Sequence, residues 1–100
     1  QIQKKSQHAF HLYPLLIDFN KSRASRKFLF KKMKNNNINL QVHYIPIHLQ
    51  PYYRKNYGFK NGDFPVAEKF YEKEITLPIY FSLKEHQIYK TIKLIKKLIL

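Results

Sequence analysis

At 100 residues and 12.2 kDa the chain has room for one domain, residues 1–100, and its 44% hydrophobic content is too apolar for a disordered tail. Nineteen Lys and Arg against six Asp and Glu give a formal charge of +13, but sixteen of the nineteen are Lys, a balance that suits solvated positions better than phosphate recognition, which recruits Arg forks. The absence of Cys excludes disulfides and thiolate metal sites, and no apolar stretch approaches the roughly 20 residues of a membrane span.

The N-terminal "QIQKKSQHAF" has neither an initiator Met nor the apolar centre of a signal peptide, and reads as the interior of a longer polypeptide. "AFHLYPLLIDF", residues 9–19, is a continuous aromatic and aliphatic run short enough for a strand, with Pro14 confined to an edge or a bulge. In "SRASRKFLFKKMKNNN", Ser22 is a reasonable N-cap, and Ala24, Phe28, Leu29 and Met33 fall on one helix side. Asn35, Asn36 and Asn37 stop that helix, since Asn tolerates the left-handed conformation.

"INLQVHY" then alternates: Ile38, Leu40, Val42 and Tyr44 on one face, Asn39, Gln41 and His43 on the other, the pattern of a half-buried strand. Pro46 and Pro51 end that regularity, and "YRKNYGFKNGDFP" reads as loop, with Gly58 and Gly62 at turns. Pro65 suits a first helical position after Asp63, and Ala67, Phe70 and Tyr71 share a face of the helix it opens. "ITLPIY" is the last strand, halted by Pro78. Ser82 and Glu85 make an S-x-x-E capping box for a final helix whose core stripe is Ile88, Ile92, Ile95 and Ile99. The sum is an α/β (α+β) domain: a short three-stranded sheet with helices packed on it.

Few residues could carry chemistry. His8 and His11 are three apart, and His43 and His48 five apart, but neither pair has the Cys or acidic company that zinc wants, so no metal site is expected. Glu68, Glu72 and Glu74 stand among Lys69 and Lys73, where solvated helix pairing accounts for them. Two glycines preclude a phosphate loop. A small basic nucleic-acid-binding module is the alternative that charge and aromatics raise, though the aromatics mostly hold core positions. Lysines on the last helix read as a solvated face rather than a membrane surface. One stretch stands apart: "HYIPIHLQPYY", residues 43–53, gathers imidazole, amide and phenol groups on a proline-stiffened turn. Such groups orient oxygen-rich ligands, and the stretch reads as the polar-aromatic rim of a ligand site.

"HLY" at 11–13, "VHYIPIHLQPYY" at 42–53, "GDFPVAE" at 62–68 and "LPIY" at 77–80 occur in one order over residues 6–98. In that order they resemble the C-terminal small domain of the DegT/DnrJ/EryC1/StrS family of sugar-nucleotide aminotransferases. The resemblance implies a fold-type I plan, pyridoxal phosphate as cofactor, a cytoplasmic homodimer, and neither nucleic acid nor membrane as partner. Its nearest subfamily transfers an amino group from glutamate to C4 of a UDP-linked 4-keto sugar in pseudaminic acid biosynthesis. Where the family often has Gly before the second strand, this chain has Asn37, which can take the same geometry. The family's Schiff-base lysine and phosphate-binding groups belong to a large domain that would precede Gln1. No lysine here sits in that motif, so no catalytic residue is expected and the chain alone should be inactive. Carried over by motif, His43 and Tyr44 become substrate contacts, with His48 a further candidate, while His11 and Tyr13 would hold the strand against the neighbouring domain.

Overall fold

The computed structural model describes residue 7 and residues 9–100. Of the first apolar run, Tyr13–Leu16 form β1, and Glu74–Leu77 form β2. They pair antiparallel, with Tyr13 opposite Leu77 and Leu16 opposite Glu74. Pro14 stands opposite Thr76, whose own N–H and C=O turn the other way, to Gln41 at 2.7 and 3.1 Å. The N–H that proline lacks is therefore not needed at that pair, which is why an outer strand tolerates it.

Among the described residues the sheet has two strands, not the three expected. Ile38 and Leu40 are buried as the alternation requires, but only Gln41 pairs with β2, as a single bridge to Thr76. Continued in that register, His43 would face Glu74 and bond its main chain. Instead the His43 N–H goes to the Glu74 side chain at 3.0 Å. The ladder ends after one pair.

The first helix, α1 (Arg26–Lys34), starts later than Ser22 would set it. Ser25 is its N-cap, accepting from the Phe28 N–H at 3.3 Å, while Ser22 folds a local turn onto Ala24. Three asparagines stop it, Asn37 at φ 60°. Where a loop was expected after Pro51, a short α2 (Pro51–Tyr57) forms, with Pro51 at its start and Gly58 at φ 71° just past its end. Proline before and glycine after is the ordinary punctuation of a helix, and seven residues suffice for it. Next, α3 (Pro65–Lys73) begins at Pro65 as expected. Its N-cap is Phe64, because the Asp63 carboxylate is occupied in closing the preceding turn on the Lys60 N–H at 2.9 Å.

The last helix, α4 (Glu85–Ile99), does not use the Ser82–Glu85 box. Residues 80–83 form a turn, Leu83 N–H to Tyr80 C=O at 3.0 Å, and Lys84 becomes the N-cap, its N–H held by the Gln87 side chain at 2.9 Å. Packing follows. Leu29, Met33 and Ile75 are fully buried, and with Ile17, Ile38, Leu40 and Ile95 they fill the space between the sheet, α1 and α4. Of the expected α4 stripe, Ile95 is core and Ile99 packs against it, but Ile88 and Ile92 remain 41% exposed. They lie along a shallow apolar groove with Tyr13 and Leu77. Since strand neighbours point to opposite faces, Ile75 in the core puts Glu74 and Thr76 on the other side of β2.

Candidate functional site

On that other side lies a cleft of about 400 Å³, between the segment before β1, residues 39–44, and the exit of β2. Its polar and aromatic lining comes from His11, Asn39, Gln41, His43, Tyr44 and Tyr80. Asn39, Gln41 and His43 are the polar face of the alternating stretch, so period two brings them here as anticipated. Tyr44 should have faced away. The regular strand has ended before it, the His43–Tyr44 peptide is cis, and the two rings meet edge to face at 4.6 Å with both side chains lining the cleft.

Beneath this pair sits Glu74, fully buried. One carboxylate oxygen accepts the His43 N–H at 3.0 Å and the other accepts the Thr76 hydroxyl. The expectation that Glu74 is a solvated helix carboxylate is corrected: α3 ends at Lys73, and Glu74 opens β2. Burial of a carboxylate is tolerated only where donors replace its water, and two do. His43 Nδ1 is itself buried and has no hydrogen-bond partner among the described residues.

The structure does not bring His48 to this cleft. It is 6% exposed, its Nε2 lies 2.8 Å from Glu68 Oε1, and its ring packs 4.7 Å from Phe64. Glu68 is the second carboxylate misread as solvated. Besides His48 it accepts the Gly62 N–H on both oxygens at 2.9 Å and the Phe64 N–H at 3.3 Å. The Gly62 N–H first, then the His48 side chain, hold its carboxyl below the ordinary carboxylate range. Gly62 donates from φ 96°, a conformation that a side chain would strain. This clasp ties the turn at Ile47–Leu49, the glycine loop and α3 together. An apolar trough of about 630 Å³ connects the two regions, running from Tyr44 past Pro46 to Phe64 and Phe70.

Sequence reasoning missed Glu74 and Glu68 because their partners lie 31 and 20 residues away. Tyr80 stood in a quoted motif without a role, and the position of "LPIY" after a strand was the signal for it. No three His, Asp or Glu side chains group for a metal among the described residues; His8, half of one histidine pair, lies outside them. No helix among the described residues is long and apolar enough to cross a membrane.

The geometry defines a small α/β domain that offers an imidazole and phenol rim at the end of a strand. The chain belongs to the DegT/DnrJ/EryC1/StrS aminotransferase family, whose model matches residues 1–96. It is 44% identical over 98 residues to the uncharacterized protein MJ1066 of Methanocaldococcus jannaschii, covering 98% of this chain and 25% of that protein. It is 30% identical over 99 residues to the UDP-4-amino-4,6-dideoxy-N-acetyl-beta-L-altrosamine transaminase of Helicobacter pylori, covering 92% of this chain and 26% of that one. Among solved structures, it matches the putative sugar aminotransferase Spr1654 of Streptococcus pneumoniae in its PMP form, with a TM-score of 0.78 and 32% identity over 88% of this chain and 22% of that one. The chain thus spans about a quarter of the length of the curated relatives it matches.

The family is one of pyridoxal-phosphate-dependent sugar aminotransferases. The cleft described here does not fit that cofactor. Among the described residues its lining has no lysine amine for a Schiff base, no arginine or lysine for a phosphate, and no carboxylate exposed to a pyridine nitrogen. What it offers is hydrogen-bonding and aromatic surface, the chemistry of a hydroxylated ligand rather than of that cofactor.

Proposed function

We propose that this chain is the C-terminal small domain of a sugar-nucleotide aminotransferase, and that its cleft contributes the substrate rim. The reaction would move an amino group, with glutamate as donor, to C4 of a UDP-linked 4-keto-6-deoxy-N-acetylhexosamine of pseudaminic acid biosynthesis, in a cytoplasmic homodimer. Pyridoxal phosphate and the Schiff-base lysine would be supplied by a large domain outside these 100 residues. His43 and Tyr44 would contact sugar or pyrophosphate oxygens and orient the keto carbon, and His48 would act from behind by fixing the turn that follows them. The altrosamine transaminase similarity supports the substrate class.

The observation that carries this reading is the pairing of His43 and Tyr44 on one polar cleft whose lining among the described residues has no cofactor-binding groups. Exposed apolar surface supports it as well. Tyr44, Ile47, Phe64 and Val66 are among the large side chains left in water. Such a surface fits a domain that packs against further polypeptide. The nucleic-acid module finds no comparable support.

The test compares the 100-residue chain with the longer protein that joins it to a large domain. The chain alone should show no pyridoxal phosphate absorbance band and no turnover of the UDP-4-keto sugar, and the longer protein should show both. In the longer protein His43→Ala should raise the KM for the nucleotide sugar about tenfold, the loss of roughly 1.4 kcal/mol of binding. Turnover by the chain alone, or an unchanged KM in His43→Ala, refutes the proposal.

A further inference from the structure

We infer that Glu74 is a positioning residue for the cleft: its buried carboxylate holds the His43 main chain, and so sets where the imidazole and the Tyr44 ring meet a hydroxylated ligand. The inference rests on the cleft being a substrate rim.

Register is the first argument. Gln41 and Thr76 exchange both main-chain bonds, and the next pair of such a ladder would be His43 with Glu74. There the side chain of Glu74 replaces its main chain as acceptor for the His43 N–H. A regular third strand would have carried Tyr44 to the opposite face, whereas this exchange ends the strand one residue before the ring that enters the cleft. Chemistry is the second argument. Glu74 is fully buried and has no cationic partner among the described residues, so the donors that converge on it are what hold its carboxylate there. A carboxylate accepts only, and the two groups converging on it, the His43 N–H and the Thr76 hydroxyl, both donate. The held segment carries the rings that line the cleft. His43 and Tyr44 both stand on its wall, so a small shift of the His43 main chain moves both rings against whatever enters.

Glu74→Met removes the acceptor at nearly constant volume, and Glu74→Gln keeps an acceptor for the N–H while the Thr76 hydroxyl can rotate to accept. Both are made in the longer protein, with His43→Ala beside them. Glu74→Met should raise the KM for the nucleotide sugar at least tenfold and leave the KM for the amino donor within twofold, while lowering the unfolding midpoint because the His43 N–H loses its acceptor. Glu74→Gln should recover the sugar KM to within about threefold of the parent. In the amide spectrum the His43 N–H should lose its downfield position and exchange protection in Glu74→Met and regain part of both in Glu74→Gln. If His43→Ala raises the sugar KM and Glu74→Met does not, the positioning role is overturned while the rim survives. If His43→Ala itself has no effect, both fall. Should Glu74→Met fail to fold, Glu74→Gln decides: a sugar KM that stays at the parent value while the His43 amide loses its exchange protection overturns the inference.

Discussion

Ile75 separates the two halves of this molecule, with the hydrophobic core on its side of β2 and the cleft on the other, and its truncation can be worked through quantitatively. It is fully buried against Leu29, Met33, Ile38 and Ile95 of the core cluster. Ile75→Val deletes one buried methyl group and should cost about 1 kcal/mol, while Ile75→Ala should cost about 3 kcal/mol with the cavity it leaves. For a domain of this size 1 kcal/mol moves the midpoint by about 4–8 °C. The alanine variant should therefore lose a large part of a total that rarely exceeds about 15 kcal/mol. Val66→Ala serves as the control, because Val66 is 83% exposed on α3 and should cost under about 0.5 kcal/mol. The assay is urea unfolding of the 100-residue chain followed by far-UV circular dichroism, with the denaturant slope fitted separately for each variant. If Ile75→Val and Val66→Ala cost the same, the core described here is not the one that holds the chain together.

Two further predictions follow from the Glu68 clasp. Because the Gly62 N–H and His48 hold the Glu68 carboxyl low in the folded state, its contribution is fully present above the ordinary carboxyl pKa and is lost as pH falls through the lowered folded value. The clasp should therefore loosen on acidification only below the ordinary glutamate value of 4.5, seen as a titrating Gly62 amide resonance, and Glu68→Gln should flatten that titration; an identical titration in Glu68→Gln would contradict it. Gly62→Ala should destabilise by about 1–2 kcal/mol through its backbone at φ 96°, since nothing stands within 4 Å of an added methyl group. A neutral Gly62→Ala, measured by the same urea series, would mean that the loop adopts another conformation in solution.

Much of the local structure was legible in the chain. The alternation of residues 38–43 correctly separates buried Ile38 and Leu40 from Asn39, Gln41 and His43 on the cleft side. Pro65 opens α3 where expected, and the asparagine run ends α1. Helix α2 was missed although Pro51 and Gly58 bracket it, because its exposed tyrosines carry no amphipathic period. The Ser82 box was a sound local signal that a turn at residues 80–83 displaced. These are features whose determinants lie within a few residues of one another, and sequence by itself determines them as far as local backbone preference reaches.

Tertiary structure alone decided the rest. Residues 38–44 have the period of a strand, but whether they pair depends on what Glu74, 31 residues from His43, offers the His43 N–H. His48 looked like a ligand-facing histidine until Glu68, 20 residues on, claimed it. Both carboxylates looked solvated because lysines flank them in sequence, whereas burial depends on which donors the fold carries to them through space. A side chain's period states which way it can point, and only its long-range partners state what it meets there.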